Sequence, residues 1–68
     1  MFVLNMNNSQ AEEIARTFLS QSYSVIRVEK SELVDQTWIV QVLVLSFDKE
    51  TRKKVKINNR TGYIMGFE

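Results

Sequence analysis

Behind a polar opening, apolar residues recur at Ala11, Ile14, Ala15, Phe18 and Leu19. The spacing i, i+3, i+4, i+7, i+8 lays them in one stripe on a helix of about three turns. Ser9 and Glu12 fit an S-x-x-E capping box at its start, the serine oxygen and the carboxylate taking up backbone N–H groups that a first turn leaves free. Glu12, Glu13 and Arg16 fall on the wet side, with the acids placed where the helix dipole favours them, and Ser20-Gln21-Ser22 ends the periodicity.

From Tyr23 the period changes to two. Tyr23, Val25 and Arg27 alternate with Ser24, Ile26 and Val28, which predicts a strand with one mostly apolar side, and Ser31 to Gln36 is polar enough to turn. Thr37 to Phe47, TWIVQVLVLSF, predicts the longest strand, rich in β-branched and aromatic residues. One side carries Trp38, Val40, Val42 and Val44; the other carries Ile39, Gln41, Leu43, Leu45 and Phe47. A strand apolar on both sides lies centrally, with neighbours on its edges and something covering each face. Asp48-Lys49-Glu50-Thr51 reads as a four-residue reversal. Arg52 to Asn58 is the next strand, with Lys53, Val55 and Ile57 on one side and Arg52, Lys54, Lys56 and Asn58 on the other.

Both of the chain's glycines fall in its last stretch, VKINNRTGYIMG. Asn58 can cap its own turn through its side-chain oxygen, and Gly62 can take the left-handed conformation that closes such a turn with a bulge. The strand then resumes at Tyr63-Ile64-Met65, and Gly66 either weakens its end or admits another surface closely. One helix ahead of a three- to four-stranded antiparallel meander makes an α+β fold. The whole of residues 1–68 forms one domain, with residues 1–8 as a segment leading into the helix.

Composition narrows the chemistry. Sixty-eight residues bury only about 60% of their unfolded surface, so the stability margin is thin and a second copy or a partner can supply missing burial. There is no cysteine and no histidine, which removes disulfides, Cys/His zinc sites and the usual nucleophile–base pairs. Net charge is +1, so no large field steers the chain to nucleic acid or membrane. The apolar run Phe2-Val3-Leu4 lacks the charged flank of a secretory signal, and the run from Trp38 to Leu45 is too short to span a bilayer, which favours a cytoplasmic protein. Two N-x-S/T matches, at Asn7 and Asn59, carry little weight without an export signal.

The pieces AEEIA (Ala11 to Ala15), WIVQVLV (Trp38 to Val44) and VKINNRTGYIMG (Val55 to Gly66) together resemble the PepSY domain family. T-G-x-I, Thr61 to Ile64, is the most specific part, and Asn58 stands where that family usually has aspartate, keeping the turn-capping oxygen without its charge. The resemblance spans about Ser9 to Met65. It implies a single small PepSY-like unit, a family in which inhibitory or chaperone-like binding has been proposed.

No catalytic constellation emerges. The carboxylate pairs Glu12 with Glu13, Glu29 with Glu32, and Asp48 with Glu50 fall at exposed or turn positions, without the apolar surroundings that raise a carboxyl pKa. The residues name neither a cofactor nor a metal site, and a D-x-D-x-D-G calcium run is absent. Two binding readings stand. The helix stripe can cover only one face of the central strand, expected to be the Trp38, Val40, Val42, Val44 side. Ile39, Leu43, Leu45 and Phe47 must then meet the Phe2-Val3-Leu4 segment, the Met65–Phe67 tail, or another chain. Burial of four such side chains is worth on the order of 6–12 kcal/mol, so an open face of that size is a protein interface, with homodimerisation as one form. Alternatively, six of the nine cations lie within Lys49 to Arg60. Arg52, Lys54 and Lys56 project from one strand face about 6–7 Å apart, and with Arg60 and Tyr63 they could engage an extended nucleic acid, or serve only to keep an outer strand soluble. A non-catalytic protein-binding or regulatory module leads; a small nucleic-acid-binding protein is the alternative.

Overall fold

The computed structural model describes residues 6–68. One helix, α1 (Asn8–Ser20), packs on a four-stranded antiparallel sheet of β1 (Ser24–Val34), β2 (Thr37–Ser46), β3 (Lys49–Asn58) and β4 (Ile64–Phe67), ordered β1-β2-β3-β4. The α+β architecture is the one the periodicities predict.

The helix starts earlier than Ser9 and Glu12 suggest. Asn7 is the N-cap: its side chain accepts from the Gln10 N–H at 2.9 Å, while the Gln10 side chain takes the Asn7 N–H at 3.1 Å. Asn with Gln at this spacing satisfies the same free donors as Ser with Glu, and the earlier start adds helical residues while Met6 packs against the core. Glu12 and Glu13 consequently lie beyond the first turn, and Glu12 instead accepts the Ser31 hydroxyl of β1 at 2.9 Å.

Ala11, Ala15 and Leu19 bury the helix stripe against Val40, Val42 and Val44 of β2 and Val55 and Ile57 of β3. The helix thus covers the expected side of the central strand. Small alanines let the helix approach the valine-rich sheet closely.

β1 departs from strict alternation and from its expected end. It runs on through Ser31 to Val34, with register shifts between Val25 and Arg27 and between Val28 and Lys30. Each shift inserts one residue, Ile26 and then Glu29; because of the first, Val25 and Val28 both pack on the core although they are three positions apart. Arg27, grouped with Tyr23 and Val25 by simple alternation, is thereby turned to the outer face, opposite Leu43.

Both long hairpins close with two residues. Asp35 and Gln36 (φ 50° and 63°) join β1 to β2, and Phe47 and Asp48 (φ 52° and 62°) join β2 to β3. Two central residues with positive φ make a type I′ turn, whose twist matches that of the strands. The expected reversal over Asp48 to Thr51 is therefore shorter and one residue earlier: Lys49, Glu50 and Thr51 are strand, paired with Ser46, Leu45 and Val44. Phe47 leaves β2 and becomes a turn residue.

The last turn forms as its residues require. The Asn58 carboxamide oxygen accepts from the N–H groups of Arg60 (2.8 Å) and Thr61 (3.0 Å), and Gly62 sits at φ +78°. A β-carbon there would meet nothing closer than Met6 Sδ at 3.6 Å, so the backbone conformation, not crowding, calls for glycine. β4 starts one residue later than expected and continues through Gly66 to Phe67, and Gly66 has nothing within 4 Å of where a β-carbon would stand.

Candidate protein-binding site

The sheet face away from the helix is built around Ile39, Gln41, Leu43 and Leu45 of β2. Its neighbours are long and charged: Arg27, Lys30 and Glu32 on β1, and Glu50, Arg52, Lys54 and Lys56 on β3. These side chains largely shield the central strand themselves. Leu43, between Arg27 and Arg52 in register, is only 3% exposed, and Ile39 is half-buried. Aliphatic stems of arginine lie on apolar surface while their heads stay wet, so a charged row can dry a leucine. Leu43 therefore drops out of the expected interface, and no broad apolar face exists there. The Met65–Phe67 tail does not supply this cover: Phe67 lies opposite Val55 and packs its ring edge-on to Phe18 of the helix, with centroids 5.2 Å apart. The role considered for Phe2-Val3-Leu4 lies outside the described residues.

Exposed apolar side chains lie at both ends of that face: Val34 (44%) and Met65 (59%) beside Thr37 at one end, and a group that includes the β2–β3 hairpin tip at the other. Leu45 is 38% exposed, Ile26 is exposed at the first bulge, and Phe47 is 97% exposed at the hairpin tip. Leu45 and Phe47 also line an open cleft of about 510 Å³ with Tyr23 and the serines that follow the helix. Phe47 combines two costs. A bulky residue at positive φ is strained by about 1 kcal/mol or more, and its ring gains no burial in return. Asp35, at the matching position of the other type I′ turn, is a residue type that tolerates this conformation.

Glu29 organises the charges beside the Phe47 end. One of its carboxylate oxygens accepts from Arg52 Nε at 2.8 Å and from Gln41 Nε2 at 3.1 Å, and Arg27 approaches the other at 3.6 Å. The Gln41 hydrogen bond, opposed by partial burial and joined by Arg52 and then Arg27, holds the Glu29 carboxyl below its ordinary value. Two guanidinium groups thus share a single carboxylate. Elsewhere the pairs are one to one: Lys30 with Glu32, Lys56 with Glu68, and Arg16 with Glu13.

The basic residues do not form one surface. Arg52, Lys54 and Lys56 do share the outer face of β3, but Arg52 and Lys56 are ion-paired there. Lys53 turns to the helix side, its ammonium 5.3 Å from the centre of the Tyr23 ring. Arg60 lines a different cavity, of about 390 Å³, with Met6, Gln10 and Ile14. Tyr63 is 76% exposed in the loop before β4, with its N–H bonded to the Thr61 hydroxyl.

Sequence reasoning missed Asn59. Only 4% exposed, it accepts the Trp38 indole N–H at 2.7 Å and donates to the Gln36 side chain at 3.2 Å, while its own N–H bonds the Gln36 carbonyl at 2.9 Å. It ties the first hairpin tip to the last loop and gives Trp38 a partner. A tryptophan packed on the core needs an acceptor for its N–H, which was the available signal, but four asparagines in the described residues could have supplied it. This placement also takes the Asn59 side chain away from any surface chemistry.

Among the described residues no acidic cluster is placed to hold a metal, and no helix is long and apolar enough to cross a membrane. Comparison with protein-family models, with characterised proteins and with solved structures finds no match to this chain.

Proposed function

We propose that this chain is a non-catalytic protein-binding module whose recognition surface is the β2–β3 hairpin end, with Phe47 as the projecting anchor and Leu45 and Ile26 beside it. The carrying observation is Phe47: a nearly fully exposed phenylalanine in a left-handed turn position is explained neither by core packing nor by turn chemistry. Local strain without local return is what an anchor for another surface looks like. The apolar groove between α1 and β4 is a weaker candidate, because Ile14, Phe18 and Ile64 in its walls already pack against the core. The resemblance to PepSY domains, with their proposed inhibitory or chaperone-like binding, points the same way.

Two further observations favour binding over catalysis. Glu29 is the carboxylate with the richest surroundings, and its pKa is driven down, opposite to what a general acid at neutral pH requires. Glu12, Glu13 and Glu32 each have a hydroxyl or cationic partner that accounts for them. The nucleic-acid reading is not favoured, since paired and divergent cations offer a phosphate backbone little continuous charge.

The test is capture from the protein's own cells with tagged wild-type chain and with Phe47→Asn. Asparagine suits a positive φ, so the variant keeps the turn while losing the ring. Partners held by the wild type should be lost from the variant at unchanged circular dichroism; an identical captured set from both would remove the hairpin end from consideration.

A further inference from the structure

The charge distribution beside the hairpin end identifies the chemistry of what it binds. Arg27 and Arg52 flank Leu43 on neighbouring strands, and both lean on Glu29. Their side chains are 64% and 66% exposed, whereas that of Glu29 is 16% exposed. Arg52 bonds Glu29 through Nε, so its two terminal nitrogens are not used in that bond, and Arg27 approaches Glu29 through a terminal nitrogen at 3.6 Å. Lys54 adds a third cation on the same face and makes no ion pair among the described residues. The other charges near this end are Glu50, two residues from Arg52 on the same face, with Asp48 and Lys49 at the tip; none of them is within ion-pair distance of either arginine. Lys30, across Gln41 from Lys54, is paired with Glu32. The group formed by Arg27, Arg52, Lys54, Glu29 and Glu50 carries three positive and two negative charges, and the two arginines lie outside Glu29.

The apolar knob of Leu45 and Phe47 adjoins this group, because Leu45 follows Leu43 on the same face of β2 and pairs with Glu50. A ligand that fits both must bring a carboxylate to the arginine pair and an apolar side chain to the knob, one strand repeat of about 6–7 Å away. Resting on the assignment of the hairpin end as the binding surface, we infer that the partner is an acidic protein segment in which a Glu or Asp alternates with large apolar residues. The carboxylate sits across Arg27 and Arg52, and the apolar residue packs on Leu45 and Phe47. A second copy of the chain is the competing occupant, because its exposed Asp35 stands beside the exposed Leu33 and Val34. Nucleic acid offers the arginine pair a phosphate but gives the aliphatic Leu45 nothing to pack on.

A random peptide library displayed on phage and panned against the full chain tests this directly. Recovered peptides should be enriched in an acid spaced two residues from a large apolar side chain. Arg27→Gln/Arg52→Gln should weaken their binding at least tenfold, and replacing the peptide's acid with its amide should do the same. Amide shifts on titration should fall on Ile26–Arg27 and Leu45–Arg52. Peptides that lose binding to Phe47→Asn yet show no preference for acids would overturn the acidic partner while leaving the hairpin end intact. Peptides indifferent to Phe47→Asn, or shifting only Ile14, Phe18 and Ile64, would remove both. The chain should stay monomeric by sedimentation at the panning concentration; a dimer lost in Arg27→Gln/Arg52→Gln would overturn the heterologous partner. Folding of each variant is checked by amide dispersion, and Lys56→Gln, outside the arginine pair, should bind like the wild type.

Discussion

Asn58 and Asn59 are adjacent and chemically identical, yet they do opposite work. Asn58 organises a turn from the surface, holding two backbone N–H groups, whereas Asn59 is buried and holds an indole and a second hairpin. Removal of the buried one should be the costlier change. Asn59→Ala leaves the Trp38 N–H without its acceptor and should cost about 2–3 kcal/mol, read as a lowered denaturation midpoint with a changed Trp38 fluorescence. Glu29 acts at the same scale through charge. Because its folded-state pKa is lowered, the stability it adds is complete above its ordinary value of 4.5 and is lost as the pH falls below that, through the depressed folded value. Urea midpoints followed downward in pH should therefore drop more steeply for the wild type than for Glu29→Gln; parallel curves would show the arginine pair to be energetically silent.

The elements show how two-residue turns and bulges overrule simple patterns. Phe47 alternates correctly with Leu45 and reads as strand, but pairing of Ser46 with Lys49 places it in the turn. The competing physics is cross-strand pairing: closing in two residues converts Lys49, Glu50 and Thr51 from loop into ladder. The turn should then be improvable. Phe47→Asn with Asp48→Gly gives the type I′ turn its preferred residues and should stabilise the chain by about 1 kcal/mol, a thermal shift of about 4–8 °C in a domain this small, while binding at the hairpin end is lost. A stabilised variant that still binds would break the link between strain and recognition. In β1 the bulges at Ile26 and Glu29 also interrupt a long edge strand, which protects it from pairing with other sheets.

Across the whole molecule, the two faces of β2 are dried by different means. On one side a helix supplies apolar contacts; on the other, charged side chains of the flanking strands lie over a single apolar row. Substitutions should separate them. Val42→Ala opens a cavity beneath α1 and should cost about 2 kcal/mol. Leu45→Ala, at the Phe47 end, should cost less than half as much, since a partly exposed leucine has little burial to lose. Equal losses, measured by chemical denaturation, would mean the outer face is as tightly packed as the core.

The sequence by itself determined the order and type of the elements, the central position of β2 and the capped turn at Asn58 to Gly62. Each follows from local periodicity or from the φ requirements of single residues, and those act over a few positions. Which of β2's two apolar sides the helix covers was settled only by packing. Register was decided only in the folded sheet. The bulges that turn Arg27 outward, the short turn that exposes Phe47, the shielding of Leu43 and the reach of Asn59 to Trp38 all depend on which residues lie opposite one another across strands. A one-residue shift in that pairing changes a side chain's face without changing the pattern along the chain, so no reading along the chain could fix it.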